Sequence, residues 1–195
     1  ILVAARTHVG AIAEQLQRAG IDHQAVEIQL LGDRPVVQDL IALTRALVHL
    51  ADRTAWLAVL RAPWCGLTLA DLHVIAAGDD RATIRELLSR ALADESRGLS
   101  ADGRARARRT FAVLERALQE RSRTSLRDWV ERTWNALGGP ATRRELRDLE
   151  DAQAYFRRLE ELEVAGDLDD VTKLEEQLEG LCARPRAEAA ARVEI

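Results

Sequence analysis

The sequence predicts a mainly α-helical protein: a helical body attached to a small α/β edge of two N-terminal strands and one C-terminal strand. Apolar residues at helical spacing recur through most of the 195 residues, whereas β-type patterns occur only near the two ends. The composition, 47% apolar and 31% charged, is typical of a folded chain with a sizeable core.

The N-terminal segment has the pattern of a strand–helix–strand unit. The run ILVAA (1–5) predicts a short buried strand, HVGAIAEQLQRA (8–19) an amphipathic helix that Gly20 ends, and HQAVEI (23–28) an alternating strand. The final residues, ARVEI (191–195), predict a third strand. Because only helices are predicted between these strands, we interpret the helical body as an insertion into a loop of a larger α/β domain.

Between the two ends, apolar stripes predict a series of helices. Asp52, Thr68 and Thr142 are predicted N-caps, since their side-chain oxygens can accept from backbone N–H groups of the first turn. A polar loop is predicted over 94–103, and GGP (138–140) is predicted to stop the helix that precedes it. The stripes cover residues 37–48, 56–60, 69–77, 84–92, 107–118, 126–137, 146–159 and 171–181.

Composition and motif spacing argue against several classes of function. The net charge of -4 does not suit a chain wrapped in nucleic acid along its whole length, although it allows a local contact. No apolar run reaches the roughly 18 residues of a membrane span, so no membrane partner is predicted. The two cysteines, Cys65 and Cys182, lie far apart in the sequence and are most simply interpreted as free thiols, which predicts a cytoplasmic location. The sequence lacks a phosphate loop, a dinucleotide-binding turn, a nucleophile elbow and His or Cys pairs at metal spacing. The chain alone is therefore not predicted to be an enzyme or to hold a cofactor, and its lack of methionine suggests a piece of a longer protein.

The stretch LRAPWCGLTLADL (60–72) predicts a sharp corner between two helices. Pro63 ends one helix, Gly66 permits a left-handed turn and Thr68 caps the next helix. Backbone N–H groups at the start of that helix would favour a phosphate. The alternative is a rigid corner in which Trp64 and Leu67 simply fill the core.

Two arginine-rich runs are further candidates for nucleic-acid contact. The arginines of RARARR (104–109) spread around a helix, which favours a solvated surface. The run RRELRDLED (143–151) places arginines on one side of a helix, but it fits intrahelical ion pairs equally well.

Four stretches, read in order, resemble UvrD-like superfamily 1 DNA helicases. Residues 1–28 resemble that family's strand, alignment helix and second strand, and GDRPVVQDLIALTRAL (32–47) resembles its Glu-Arg-x-x-Ile-x-Asp-Leu helix. ADRTAWLAVLRAPWCGLTLADL (51–72) is similar to its Asp-rich helix, proline and Gly-Ile-Gly turn, although only one glycine is kept here. The final ARVEI resembles the strand that leads into its Thr-x-His-x-x-Lys-Gly-Leu-Glu motif. The turn is most similar to the RecB/AddA branch, the exonuclease V beta subunit-like proteins.

This resemblance implies a domain organisation and a function. Residues 1–48 would belong to a RecA-like domain 2A, residues 49–188 to a helical 2B-like insertion, and residues 189–195 to a strand that returns to domain 2A. The chain would be the non-catalytic, duplex-DNA-contacting regulatory portion of a bacterial ATP-dependent DNA helicase/exonuclease in DNA repair or recombination. The parent protein would use ATP and Mg, bound by motifs outside these residues, and could carry a nuclease domain.

The resemblance and the corner together predict five DNA-binding residues: Arg34, Arg61, Gly66, Leu67 and Thr68. Backbone donors of the last three, with the Thr68 hydroxyl, would meet a duplex phosphate, and the two arginines would supply charge. The expected partner is a duplex/single-strand junction, bound weakly by this chain. The alternative is a helical protein-interaction module that docks a partner subunit of a helicase–nuclease complex through helices at 142–164 and 168–181.

Overall fold

The structure is a computed structural model that describes residues 31–162, together with Gln15, Arg18 and Ala19. Residues 31–162 are mainly α-helical and include no strand, which confirms the predicted mainly α class. Several predicted elements lie outside the described residues: the strands at 1–5, 23–28 and 191–195, most of the helix at 8–19, and the helical stripe at 171–181.

Seven α-helices follow one another in residues 31–162, and three short 3₁₀ helices join or precede them. The α-helices are α1 (Pro35–Val48), α2 (Arg53–Arg61), α3 (Leu69–Ala76), α4 (Ile84–Ala93), α5 (Ala101–Gln119), α6 (Leu126–Ala136) and α7 (Leu146–Leu162). The 3₁₀ helices are Leu31–Asp33, Glu95–Arg97 and Pro140–Thr142.

Two of the three predicted N-caps are confirmed. The Asp52 carboxylate accepts from the backbone N–H of Ala55 at 2.9 Å, and the Thr68 hydroxyl accepts from that of Asp71 at 3.1 Å. The prediction for Thr142 is wrong: its hydroxyl donates to the Gly139 carbonyl at 2.6 Å inside a 3₁₀ turn. Helix α7 therefore begins four residues later, at Leu146.

The predicted polar loop over 94–103 is shorter than expected. Helix α5 already begins at Ala101, because the Ser100 hydroxyl accepts from the backbone N–H of Gly103 at 2.9 Å and caps its first turn. This start places Gly103 inside the helix and on its buried side.

Helix α1 is the central element of the body. It buries eight residues and packs against α2, α6 and α7. The largest fully buried side chains include Trp56, Tyr155 and Phe156. The Tyr155 hydroxyl lies 2.6 Å from that of Thr44 in α1, so the polar end of this tyrosine is satisfied within the core.

The remaining helices pack in sequence, each on the next, and the last of these contacts is again with α1. Helix α2 meets α3 and α4, α4 packs on α5, α5 packs on α6, and α6 returns to α1. This circuit brings the first half of α5 against the corner between α2 and α3, residues 62–68. None of the helices in residues 31–162 is long and apolar enough to cross a membrane.

Ion pairs tie the start of α1 to the start of α7. Arg34 Nε lies 2.6 Å from the Asp151 carboxylate and Arg34 Nη2 lies 3.3 Å from Asp148, while Arg143 Nη2 lies 2.6 Å from Asp39. The intrahelical pairs predicted for residues 143–151 are therefore wrong for these groups, because their partners come from α1 and the residue that precedes it.

Candidate nucleic-acid interface

The corner is rigid and anchored in the core. Gly66 adopts φ +66°, the left-handed conformation that glycine takes without steric cost. Trp64 is 2% exposed and donates its indole N–H to the Val59 carbonyl at 3.1 Å, and Leu67 is 1% exposed. The hypothesis that these two side chains fill the core is thus confirmed.

Two of the three backbone donors that the sequence predicted at the corner are already hydrogen-bonded within it. The N–H of Gly66 donates to the Ala62 carbonyl at 2.8 Å, and the N–H of Leu67 donates to the Leu60 carbonyl at 3.0 Å. The Thr68 hydroxyl donates to the Asp71 carboxylate at 2.7 Å while it caps α3. The backbone N–H groups of Gly66 and Leu67 are therefore not free for a phosphate, because the turn uses them to close itself. The contact of Gly66, Leu67 and Thr68 with DNA stays a prediction.

Asp71 joins the corner to the start of α5. Its side chain is almost fully buried and accepts from the backbone N–H of Ser100 at 2.9 Å, the Ser100 hydroxyl at 3.2 Å and the Thr68 hydroxyl. Burial, the largest single influence, raises the pKa of Asp71, but the hydrogen bonds from Thr68 and Ser100 together outweigh it and lower that pKa. The carboxylate therefore stays ionised and fixes α5 against the corner.

Three exposed arginines surround the corner. Arg61 Nη1 donates to the Leu67 carbonyl at 3.1 Å, and Arg109 Nη2 donates to the Trp64 carbonyl at 2.9 Å. Arg106 Nη1 lies 3.2 Å from the position that a Cβ on Gly66 would occupy. We call Arg61, Arg106 and Arg109 the arginine cluster.

The charge of the arginine cluster is only partly neutralised. Arg61 and Arg109 bond to carbonyl oxygens, and neither has a carboxylate partner among the described residues. Arg106 pairs with Asp102 at 2.6 Å, an exposed contact one helical turn away. Because exposed pairs of this kind stabilise a helix by only about 0.3–0.5 kcal/mol, Arg106 can exchange this partner for an incoming anion.

The structure brings Arg61, Gly66, Leu67 and Thr68 together but gives Arg34 a different role. The Arg34 side chain is 14% exposed and faces two carboxylates of α7. Two opposite charges at this range already satisfy the guanidinium, so its position is explained by the packing of α1 on α7.

Arg106 and Arg109 belong to the run at 104–109, for which the sequence pattern favoured a solvated surface over nucleic-acid contact. Their spacing of three residues nevertheless places these two on one side of the helix. The sequence does not show that this side faces the corner, because the contact between Arg109 and Trp64 spans 45 residues.

Among residues 31–162, no three His, Cys, Asp or Glu side chains come together to hold a metal ion.

No protein-family model matches the sequence, and the comparison with curated proteins gives no match.

Proposed function

We propose that this chain is the non-catalytic, DNA-contacting regulatory portion of a cytoplasmic bacterial ATP-dependent DNA helicase/exonuclease, with its helical body in the place of a 2B insertion. The observation that carries the proposal is the arginine cluster around the corner. The family assignment is supported by the resemblance of residues 1–72 and of the final residues, 191–195, to UvrD-like helicases of the RecB/AddA branch.

The cluster has the chemistry of a phosphate contact. Arginine presents a planar fork of donors that matches phosphate oxygens, and it is weakly hydrated compared with lysine. Phosphate contacts position a protein on DNA without reading its sequence. A contact of this kind suits a domain that follows a moving duplex, because every base pair presents the same backbone.

The rigid corner holds these arginines in place before DNA arrives. Arg61 and Arg109 are hydrogen-bonded to carbonyls of the corner, and Trp64 anchors the corner in the core. Less side-chain entropy is therefore lost on binding than for three freely moving arginines. The duplex phosphate would meet guanidinium groups instead of the backbone donors of the turn.

The proposal is tested by a fluorescence-anisotropy titration of the 195-residue chain with a duplex at low salt. We expect the triple variant Arg61→Gln/Arg106→Gln/Arg109→Gln to bind at least about tenfold more weakly. We also expect the slope of log K against log salt to decrease by about 2–3, roughly one per lost phosphate contact.

A matched triple variant controls for net charge. Arg81, Arg144 and Arg157 are exposed and lie outside the cluster, so Arg81→Gln/Arg144→Gln/Arg157→Gln removes the same charge elsewhere. We expect this control to keep most of the affinity. Equal losses in the two variants, or no salt-dependent binding by the unmodified chain, would refute the assigned contact.

One observation favours the alternative function, a helical module that docks a partner subunit. Leu146, the first residue of α7, is 73% exposed and so presents an apolar side chain that a partner could cover. A chain that binds no DNA but forms a stable complex with a helicase–nuclease subunit, lost in Leu146→Asp, would favour this function over DNA contact.

A further inference from the structure

A groove of about 370 Å³ lies between α5 and α6. Its apolar lining comes from Ala112, Val113 and Ala117 of α5 and from Ala136 of α6. Two exposed arginines, Arg116 of α5 and Arg132 of α6, stand at its sides, and neither forms an ion pair among the described residues. The groove thus combines an apolar floor with two arginines that form no ion pair in the described part of the chain.

The groove continues the arginine cluster along one side of α5. Arg109, Val113 and Arg116 are spaced by four and three residues, so they lie along one stripe of the helix. Arg109 contacts the corner and Arg116 lines the groove. Seven residues of helix separate these two arginines by about 10 Å along the axis of α5.

The groove is too small for a duplex but large enough for part of a single strand. A volume of about 370 Å³ is at the small end of the range for small-molecule sites, about 300–1,000 Å³. Part of a single strand can therefore enter it, whereas a duplex can only lie across its rim. A base resting on the alanine and valine floor would place its phosphates beside the arginines.

An acidic residue limits the path at the far end. Glu120 also lines the groove, one helical turn beyond Arg116, and it is exposed. Its carboxylate repels phosphate, so the strand is expected to leave the groove before it reaches Glu120.

We propose that the α5/α6 groove binds the phosphodiester backbone of single-stranded DNA, through Arg116 and Arg132, where the strand leaves a duplex held at the arginine cluster. This inference rests on the proposed function, because the cluster supplies the neighbouring duplex contact. It adds a second DNA-binding site: the arginine cluster binds duplex DNA, and the α5/α6 groove binds single-stranded DNA.

The test compares two probes on the 195-residue chain: a blunt duplex, and the same duplex with a ten-nucleotide single-stranded extension. We expect the unmodified chain to bind the extended probe about tenfold more tightly, as two charge-assisted contacts are added. In Arg116→Gln/Arg132→Gln this preference should disappear while the affinity for the blunt duplex stays the same. Arg81→Gln/Arg144→Gln, with the same change in charge, should keep the preference.

A second variant acts without removing an arginine. Ala136 is exposed at the end of α6, so Ala136→Glu puts a negative charge into the groove and should also abolish the preference. Circular dichroism of each variant checks that the helices are retained.

The outcomes separate the two proposals. If the unmodified chain binds both probes equally, or if the groove variants keep the preference, the groove proposal is wrong and the duplex contact at the cluster stands. If neither probe binds, the proposed function fails, and the groove proposal fails with it.

Discussion

Gly103 lies where α5 presses closest to the corner. An ideal Cβ on this residue would stand 2.6 Å from the Asp71 carboxyl carbon, a distance that real Cβ atoms essentially never show. Asp71 cannot easily withdraw, because Ser100 and Thr68 hold its oxygens by three hydrogen bonds. The absence of a side chain at Gly103 is therefore a packing requirement of the corner.

We expect Gly103→Ala to destabilise the chain by about 1–3 kcal/mol, the usual cost of overpacking. Helix propensity alone predicts the opposite sign, a gain of roughly 0.5–1 kcal/mol. Ala105→Gly, at an exposed position of the same helix, is the control and should cost about 1 kcal/mol. Urea unfolding measures both, and a stabilised Gly103→Ala variant would show that the corner relaxes freely.

Asp71 gives the stability a dependence on pH. The pKa of Asp71 is lower in the folded chain than its ordinary value of about 3.9. Its contribution to the free energy of unfolding is therefore complete above that ordinary pKa and is lost as the pH falls through the folded pKa. We expect Asp71→Asn to be less stable at pH 7 and to lose less stability than the unmodified chain below about pH 4.

Urea midpoints between pH 3 and pH 7 test this expectation. Asp80 is exposed and forms no hydrogen bond with its side chain in the described part of the chain, so Asp80→Asn is the matched control and should leave the curve unchanged. If the urea midpoints of Asp71→Asn and of the unmodified chain fell in parallel as the pH is lowered, the role given to Asp71 would be wrong.

At the scale of the elements, the pair of Arg34 and Asp151 fixes α7 against α1. The Asp151 side chain is 3% exposed and lies 2.6 Å from Arg34 Nε. Removing the arginine leaves a buried carboxylate without its principal partner, and losses of about 3–5 kcal/mol are typical of that situation. We expect Arg34→Met to lower the free energy of unfolding by about 2–4 kcal/mol. This is somewhat less than the typical loss, because Arg34 is partly exposed.

The double variant Arg34→Met/Asp151→Leu is the informative comparison. It removes both charges, so it should be more stable than Arg34→Met alone. Chemical denaturation of the two single variants and the double variant gives the coupling energy. An additive result would mean that the two side chains do not stabilise each other.

Much of the helical framework could be predicted from the sequence because it depends on local chemistry. Apolar stripes at helical spacing and the caps at Asp52 and Thr68 involve residues only a few positions apart. The start of α7 was mistaken because Thr142 has a competing acceptor, the Gly139 carbonyl, and a sequence pattern does not say which bond forms.

The candidate site was only partly predictable, because it depends on contacts between distant segments. The corner follows from Pro63, Gly66 and Thr68, which are neighbours in the sequence. That Arg106 and Arg109 would stand over it follows from the packing of α5, which Asp71 and Ser100 fix across 29 residues. No periodicity in the sequence carries that information.

At the scale of the whole molecule, α1 is the element on which the domain assignment depends. The resemblance to helicases places a boundary after residue 48 and assigns α1 to a different domain from α2. In the structure, α1 buries eight residues and packs against α2, α6 and α7. The two views lead to different expectations for a polypeptide that lacks α1.

We expect residues 31–162 to fold alone, with strong helical circular dichroism and a single cooperative transition in urea, because this segment contains its own core. Residues 49–162 should show no cooperative transition, since the loss of α1 exposes the apolar faces of α2, α6 and α7. A mixture of residues 49–162 with a peptide of residues 31–48 is the control, because docking of the peptide should restore part of the helical signal. A cooperative transition of residues 49–162 alone would instead support the boundary after residue 48 and would assign α1 to the host domain.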